Sequence, residues 1–159
     1  MPTVKHGGGG AMVWGCMAGN GVGRMEFIES TTDKYAYLSI LKRNLKQSVE
    51  ELGLGSDYYF QHDNDPKYTA DVVKLWLLYN VPKQLRMPPQ SPDLNPIEHL
   101  WYSLERKIRQ RTITSKAMLK DVLHEEWTKI SPTKTSKLVY SMPKRLAEVL
   151  KRRGYPTFY

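Results

Sequence analysis

Two acidic residues lie beside segments that can hold them rigidly. Asp63 directly follows the aromatic run DYYFQH, and Glu98 follows the proline-rich segment MPPQSPDLNP, with 34 residues between the two acids. Carboxylates at the ends of rigid elements can converge on a hard divalent cation such as Mg²⁺, which takes oxygen ligands. Such ions activate a water or hydroxyl and stabilise the leaving oxygen in phosphoryl transfer. The pair therefore indicates metal-dependent phosphoryl chemistry, with Asp65 and Asp93 as the nearest further acids.

The same acids also have a purely structural interpretation. Asn95, Pro96 and Glu98 fit a helix start in which Asn caps, Pro takes the first position and Glu accepts the backbone N–H of the cap. Asp63 and Asp65 can shape a turn. A third interpretation uses Asp63 and Asp65 as the metal site of a nucleotide-dependent transferase, but nothing else in the sequence indicates nucleotide binding. Residue spacing alone leaves these alternatives open.

Other motif-based functions are excluded more clearly. A calcium loop opening at Asp63 would need a glycine where Tyr68 stands and a glutamate where Lys74 stands. The string GNGVGR lacks the spacing of a dinucleotide-binding loop, and no GK[ST] occurs. His62 and His99 fit no zinc-binding pattern, and the single cysteine, Cys16, excludes a disulfide framework and is predicted to be a small buried residue.

The positive charge is concentrated in the last third of the chain. Residues 1–104 carry 10 Lys and Arg against 11 Asp and Glu, a net charge of −1, whereas residues 105–159 carry 14 against 5, a net charge of +9, which gives the chain its total of +8. Such asymmetry favours a polyanionic partner, with double-stranded DNA first, although a solvated lysine-rich helical face would look similar. The candidate DNA-binding residues are Arg106, Lys107, Arg109, Arg111, Lys144, Arg145, Lys151, Arg152 and Arg153.

Strand-like and helical patterns alternate along the chain. Residues 1–10 have no periodicity and are predicted to be flexible. The predicted elements are a hairpin over 11–30, a helix over 33–52 capped by Asp33 and stopped by Gly53, a strand over 57–62, a helix over 67–79 capped by Asp65, a strand over 81–86, and helices from 95, over 115–130, 132–140 and 142–153. We expect the four tryptophans, at strand or helix spacing, to be core residues.

This order predicts a single α/β domain with a mixed sheet. The length of 159 residues suffices for one hydrophobic core. No apolar run approaches the about 20 residues of a membrane span, and the N-terminus lacks the apolar stretch of a signal peptide. We therefore expect no membrane association.

Four strings, read whole, resemble one family. VKHGGGGAMVWGC, QHDNDPKYTA, PPQSPDLNPIEHLW and the ending RGYPTFY are similar to the catalytic region of Tc/mariner-type transposases of the DDE endonuclease superfamily. The resemblance runs from about Val4 to Tyr159. It implies a ribonuclease-H-like fold with flanking helices, a partial catalytic core over 1–112 and a basic helical C-terminal part of the same domain over 113–159.

The resemblance also implies a chemistry. Family members cut and join transposon DNA ends with an acidic triad that binds two Mg²⁺ or Mn²⁺ ions. The second acid of the triad corresponds to Asp63 and the third to Glu98, with the gap typical of the Tc branch, whereas Asp65 is not a triad member. Double-stranded DNA as partner, a possible homodimer and a nuclear location are implied in the same way.

Departures from the family pattern limit what is expected of the chain. The string resembling SDES that carries the first triad acid, and the helix-turn-helix part before it, have no counterpart here, and Tyr68 and Phe158 replace a usual His and Lys. The resemblance therefore implies an amino-terminally truncated transposase without its first central strand. We expect little or no cleavage by the chain alone; the alternative is a non-catalytic remnant that binds DNA or a partner.

Overall fold

The computed structural model describes residues 3–6, 9–29, 33–62, 70–85, 94–144 and 147. The chain forms an α/β structure, as predicted. Its elements are β1 (Thr3–His6), β2 (Gly9–Ala18), β3 (Gly21–Ile28), α1 (Lys34–Glu51), β4 (Tyr59–Phe60), α2 (Asp71–Asn80), β5 (Lys83–Gln84), α3 (Pro96–Arg109), α4 (Lys116–Thr128) and α5 (Pro132–Tyr140).

The predicted hairpin is present as strands β2 and β3. They pair antiparallel from Met12 opposite Ile28 to Ala18 opposite Gly21, with an irregularity between Gly15 and Met17. Gly21, at the turn, has a φ of 151°, which glycine adopts without a steric penalty.

The prediction that residues 1–10 are flexible is wrong for β1. Residues 3–6 pair antiparallel with residues 9–12 of β2 and form the outer strand of the sheet. Strand pairing uses backbone N–H and C=O groups, which require no side-chain periodicity. The glycine run therefore led to a wrong prediction of flexibility for residues 3–6.

The remaining two strands form a separate parallel pair. Tyr59 and Phe60 of β4 lie opposite Lys83 and Gln84 of β5. The order is β1-β2-β3 in one sheet and β4-β5 in the other. Both predicted strands are present but shorter than expected.

The two faces of β2 bury different side chains, because successive residues of a strand point to opposite sides. Ala11 and Val13 belong to one apolar cluster, which we call the α3/α4 core because α3 and α4 supply most of it. Trp14 belongs to a second cluster, the α1/α2 core, formed mainly by those two helices. Helices therefore cover both faces of the antiparallel sheet.

The α3/α4 core closes tightly against β2. The rings of Trp101 and Trp127 stack with their centroids 5.2 Å apart, and the indole N–H of Trp127 donates to the carbonyl of Gly23 at 2.9 Å. A Cβ at Gly15 would lie 2.9 Å from both rings, closer than side chains tolerate. Trp14 is buried as well and Trp76 partly so, which confirms the expectation for the four tryptophans.

Most helix boundaries agree with the sequence. Asp33 caps α1 by accepting from the N–H of Ala36, and Gly53 follows the helix with a φ of 65°. Serines at 115 and 131 cap α4 and α5. Of the helix predicted over 142–153, residues 142–144 and 147 are helical, and the others lie outside the described residues.

The start of α2 differs from the prediction. The helix begins at Asp71, after Ala70, whose ψ of 150° is extended, and not at residue 67. Asp71 is an acidic residue in the first turn, where the helix dipole favours negative charge. The predicted cap at Asp65 lies outside the described residues. Among the described residues, no helix is both long and apolar enough to cross a membrane.

Candidate functional site

A cavity of about 500 Å³ lies between the two sheets. One wall is β2, from Val13 to its end. The opposite wall is β4 with its flanks, residues 58–62, and the first turn of α3, residues 95–98, closes one side. Strand β1 pairs only with residues 9–12 of β2. Within the described part of the chain, residues 13–18 therefore have β3 on one edge and no strand on the other.

The expectation that the family's first central strand is absent stays a prediction. Unpaired N–H and C=O groups along a buried edge are costly, so the second edge of residues 13–18 is a place where a further strand would pair.

Glu98 lines the cavity from the first turn of α3. The helix below it is firmly held, because Leu100, Leu104 and Ile108 are almost fully buried in the α3/α4 core. Asn95 precedes the helix, and its side chain makes no capping hydrogen bond. Asn95 and Pro96 therefore occupy the N-cap and first helical positions as the structural interpretation predicts, but without the side-chain hydrogen bond of the cap.

A direct hydrogen bond joins the end of β4 to the start of α3. The side-chain amide of Gln61 donates to the carbonyl of Leu94 at 2.8 Å. The two segments that carry the candidate acids therefore meet at one end of the cavity.

His62, the residue before Asp63, is held by a buried tyrosine. The Tyr37 hydroxyl and His62 Nδ1 are 2.9 Å apart, and Tyr37 is almost fully buried on α1. The ring of Phe60 lies 5.1 Å from the His62 ring, between centroids. This contact ties the chain leading into Asp63 to the α1/α2 core.

Asp63 itself lies outside the described residues, as do Asp65 and Asp93. The assignment of Asp63 and Glu98 as a shared metal site therefore stays a prediction. Among the described residues, no group of three or more His, Cys, Asp or Glu side chains forms a metal-binding cluster.

The candidate DNA-binding residues divide into two groups. Lys107 and Arg111 pair with Glu126 of α4, at 3.7 Å and 3.2 Å, and Arg111 also lies 3.4 Å from Glu125. These pairs join α3 to α4. Arg106 and Arg109 are exposed in the last turns of α3.

Lys144 is also exposed. The other four candidates, Arg145, Lys151, Arg152 and Arg153, lie outside the described residues. The role of all nine in DNA binding stays a prediction.

Cys16 lines the cavity on the side of the α1/α2 core. Burial raises the pKa of its thiol, a shift that a hydrogen bond with Ser48 only partly offsets. The thiol is therefore protonated at neutral pH and a poor nucleophile, in line with the prediction of a structural cysteine.

Three residues that position the candidate acids were not identified from the sequence. Gln61 and Tyr37 act through contacts between residues 25 or more apart in the chain, and such contacts leave no local pattern. Glu126 is buried and pairs with Lys107 of α3 and with Arg111, which follows α3. Its place on the apolar side of α4, next to Trp127, was the only available signal.

Comparisons with known proteins identify relatives along nearly the whole chain. The sequence is 40% identical over 158 residues to the transposable element Tcb1 transposase of Caenorhabditis briggsae, covering 99% of this chain and 58% of the relative. It is 39% identical to the Tc1 transposase of Caenorhabditis elegans, with 99% and 58% covered. The Tc3 transposase of the same species is 30% identical, with 98% and 47% covered. No protein-family model matches the sequence.

The fold matches solved structures of Mos1 transposase. The Mos1 catalytic domain with raltegravir and Mn superimposes with a TM-score of 0.83 at 22% identity, covering 94% of this chain and 78% of that one. A Mos1 paired-end complex with the left transposon end gives 0.82 at 22% identity, with 92% and 44% covered.

The expected ribonuclease-H-like fold is thereby confirmed. This chain spans little more than half the length of the curated relatives that it matches. Along that part, the homologues of this chain are the Tc1, Tc3 and Tcb transposases, at 30 to 40% identity.

Proposed function

We propose that the chain is a catalytic core for cut-and-paste DNA transposition, in which Asp63 and Glu98 hold a divalent metal ion against the DNA backbone. One observation carries this proposal. The hydrogen bond from Gln61 to Leu94 brings the end of β4 and the start of α3 together at the cavity that Glu98 lines. We expect the acid that follows β4, Asp63, to approach Glu98 there.

The residues at this point suit a hard metal ion. Mg²⁺ is usually bound through one or two carboxylates and keeps several of its own waters. Glu98 is partly exposed and borders a cavity with room for water. When bound there, Mg²⁺ or Mn²⁺ would supply activation of a water or of a DNA 3′-hydroxyl and stabilisation of the leaving oxygen. The Mos1 catalytic domain has been solved with Mn and with Mg, which supports this choice.

The protein itself positions the two acids and orients the DNA. Helix α3 fixes the Glu98 carboxylate because its buried face is anchored in the α3/α4 core. Gln61 and the Tyr37–His62 contact direct the chain into Asp63. The exposed arginines at the other end of α3 contact phosphates and set the path of the DNA.

The chain alone has little cleavage activity under this proposal. The proposal assigns two acids, Asp63 and Glu98, where the family uses three, and within the described residues the second edge of residues 13–18 of β2 has no strand partner. A metal site that is loose by about 1 Å loses much of its catalytic value. We further propose that the protein acts in the nucleus, on double-stranded transposon ends, and as a homodimer that holds two ends.

The decisive experiment adds the preceding portion of a relative to this chain. The portion of the Tc1 transposase that precedes the matched region is fused to this chain, and nicking of Tc1 transposon-end DNA is measured with Mg²⁺ or Mn²⁺. We expect metal-dependent nicking by the fusion and little by the chain alone. In the fusion, Asp63→Asn or Glu98→Gln should lower the rate at least about a thousandfold, since a metal ion contributes several kcal/mol to the transition state.

A matched control keeps this test specific. Glu105 lies on the same helix as Glu98, seven residues further along, and is also partly exposed. Glu105→Gln should leave nicking within about threefold, because it leaves both proposed ligands intact. Equal activity in the fusion with and without Asp63→Asn would overturn the metal-site assignment. Robust Asp63-dependent cleavage by the unfused chain would instead show that two carboxylates suffice.

A further inference from the structure

A group of cations lies where α5 crosses α3. The ammonium of Lys134, in the first turns of α5, donates a hydrogen bond to the hydroxyl of Ser103 on α3. Arg106 and Lys107 follow Ser103 by three and four positions, and residues at those spacings lie on the same side of a helix. The three cations therefore gather around Ser103.

Little negative charge balances this group. Lys107 lies 3.7 Å from the carboxylate of Glu126. That carboxylate also pairs with Arg111 at 3.2 Å and with Lys129 at 3.9 Å. Within the described part of the chain, no carboxylate forms a salt bridge with Arg106 or Lys134. Burial lowers the pKa of Lys134, and the charges of Lys107 and Arg106 lower it further. The group is thus crowded with positive charge that a bound anion would relieve.

Its geometry suits a phosphodiester. Ser103 fixes the Lys134 ammonium, so little side-chain entropy is lost when an anion binds. Tyr102, which is 70% exposed, precedes Arg106 by one helical turn and presents another side chain of the kind that contacts phosphate oxygens. Lys134 was not among the candidate residues from the sequence, because it enters this group only through the packing of α5 on α3.

We propose that Lys134 and Arg106, with Ser103 orienting the lysine, form a binding site for one backbone phosphate of duplex DNA. The site rests on the proposed DNA-binding function and adds a subsite separate from the metal site. Arg106 follows Glu98 by eight residues, or about 12 Å of helix, so a phosphate at one position cannot contact the other. Lys107 and Arg111 instead hold α3 against α4 through Glu126.

The test measures binding of the 159-residue chain to a short duplex without transposon sequence, by fluorescence anisotropy over a range of salt concentrations. Lys134→Met and Arg106→Met should each weaken binding roughly five- to tenfold at low salt. The double variant should be hardly weaker than either single one, and its salt slope should fall by about 0.9, the value for one phosphate. Lys134→Arg should bind like the unaltered chain.

Lys46→Met is the matched control, since Lys46 is an exposed lysine on α1, a helix of the α1/α2 core. It should change binding less than about twofold, and thermal unfolding monitored by circular dichroism should show all variants folded. The site is overturned if Lys134→Met behaves like the Lys46 control, or if the two losses simply multiply with a slope change of about 1.8. Absence of any binding by the unaltered chain at low salt would overturn both this site and the proposed DNA-binding function, whereas unchanged nicking by the fusion would leave the metal site standing.

Discussion

The two segments that carry the candidate acids are supported very differently. Helix α3, which presents Glu98, runs for 14 residues and buries Leu100, Trp101, Leu104 and Ile108 in the α3/α4 core. Strand β4, which leads into Asp63, pairs with β5 over only two residues. Its other side faces the cavity.

This difference locates the weak half of the site. Glu98 inherits its position from a packed core and needs no further part of the protein. The approach to Asp63 depends on individual hydrogen bonds, chiefly those of Gln61 and His62. A strand inserted between β2 and β4 would contact both sides of the cavity, because β4 and the first turn of α3 both line it. We expect such a strand to matter more for the geometry of Asp63 than for that of Glu98, because α3 is already anchored in the α3/α4 core.

The test with the largest expected effect compares the same substitution, Leu→Ala, in the two cores. Leu104 is 1% exposed in the α3/α4 core, and Leu45 is 5% exposed in the α1/α2 core but borders the cavity. Leu104→Ala should lower the free energy of unfolding by about 4 to 5 kcal/mol, near the top of the range for such changes. Leu45→Ala should cost about 2 to 3 kcal/mol, because a side chain beside a void has fewer contacts to lose.

Urea unfolding monitored by circular dichroism measures both values, and equal denaturant slopes would show that the denatured states are comparable. In the unfused chain, Leu104→Ala should also loosen α3 and so shift Glu98, whereas Leu45→Ala should leave α3 intact. Equal costs for the two substitutions would contradict the proposed difference in packing.

The sequence predicted the α3 side of the site better than the β4 side. The helix from Asn95 follows from apolar residues at spacings of three and four, and a helix formed by periodicity is largely a local property. The predicted cap at Asp33 is local as well, since it accepts from the N–H of Ala36, three residues ahead. These features agree with the structure to within one or two residues.

The β4 side depends on contacts that no local pattern records. The β4–β5 pair joins residues 24 apart, and Tyr37 reaches His62 across 25 residues. The pairing of β1 with a glycine-rich segment has the same cause, since it depends on backbone hydrogen bonds. The identity of the acids themselves came from the family strings and not from their spacing, which also fitted caps and turns.

A smaller test concerns the hydrogen bond that steadies the chain before Asp63. Tyr37→Phe removes the hydroxyl that lies 2.9 Å from His62 Nδ1 and keeps the buried ring. We expect it to lower the free energy of unfolding by about 1 kcal/mol, the net value of one such bond. In the Tc1 fusion it should also slow nicking, because the Asp63 side is the weakly supported one.

Tyr58→Phe is the control for that substitution. Tyr58 flanks β4 and lines the same cavity, and burial raises the pKa of its hydroxyl. It should leave nicking unchanged, because no contact links its hydroxyl to the chain before Asp63 within the described residues. A Tyr37→Phe fusion that nicks at the full rate would show that the Tyr37–His62 contact does not position Asp63.

The smallest effect is a pH dependence that arises from Cys16 on the cavity wall. Burial raises the pKa of this thiol in the folded chain above its value of about 8.5 in the unfolded chain. The folded state then binds the proton more tightly, so this contribution to stability is complete below about pH 8.5 and is lost as the pH rises towards the folded pKa. Between about pH 8 and pH 9 the loss is at most about 0.7 kcal/mol. Urea unfolding of the unaltered chain and of Cys16→Ala at both pH values isolates the effect, since all other titrating groups are common to the two proteins.

A thiol on the closed α3/α4 side of β2 would resist a thiol reagent until global unfolding, but Cys16 faces the cavity and should react slowly in the native state. Reaction at the rate of an exposed thiol, with no pH-dependent difference in stability between the two proteins, would show that the cavity wall is open to water at Cys16.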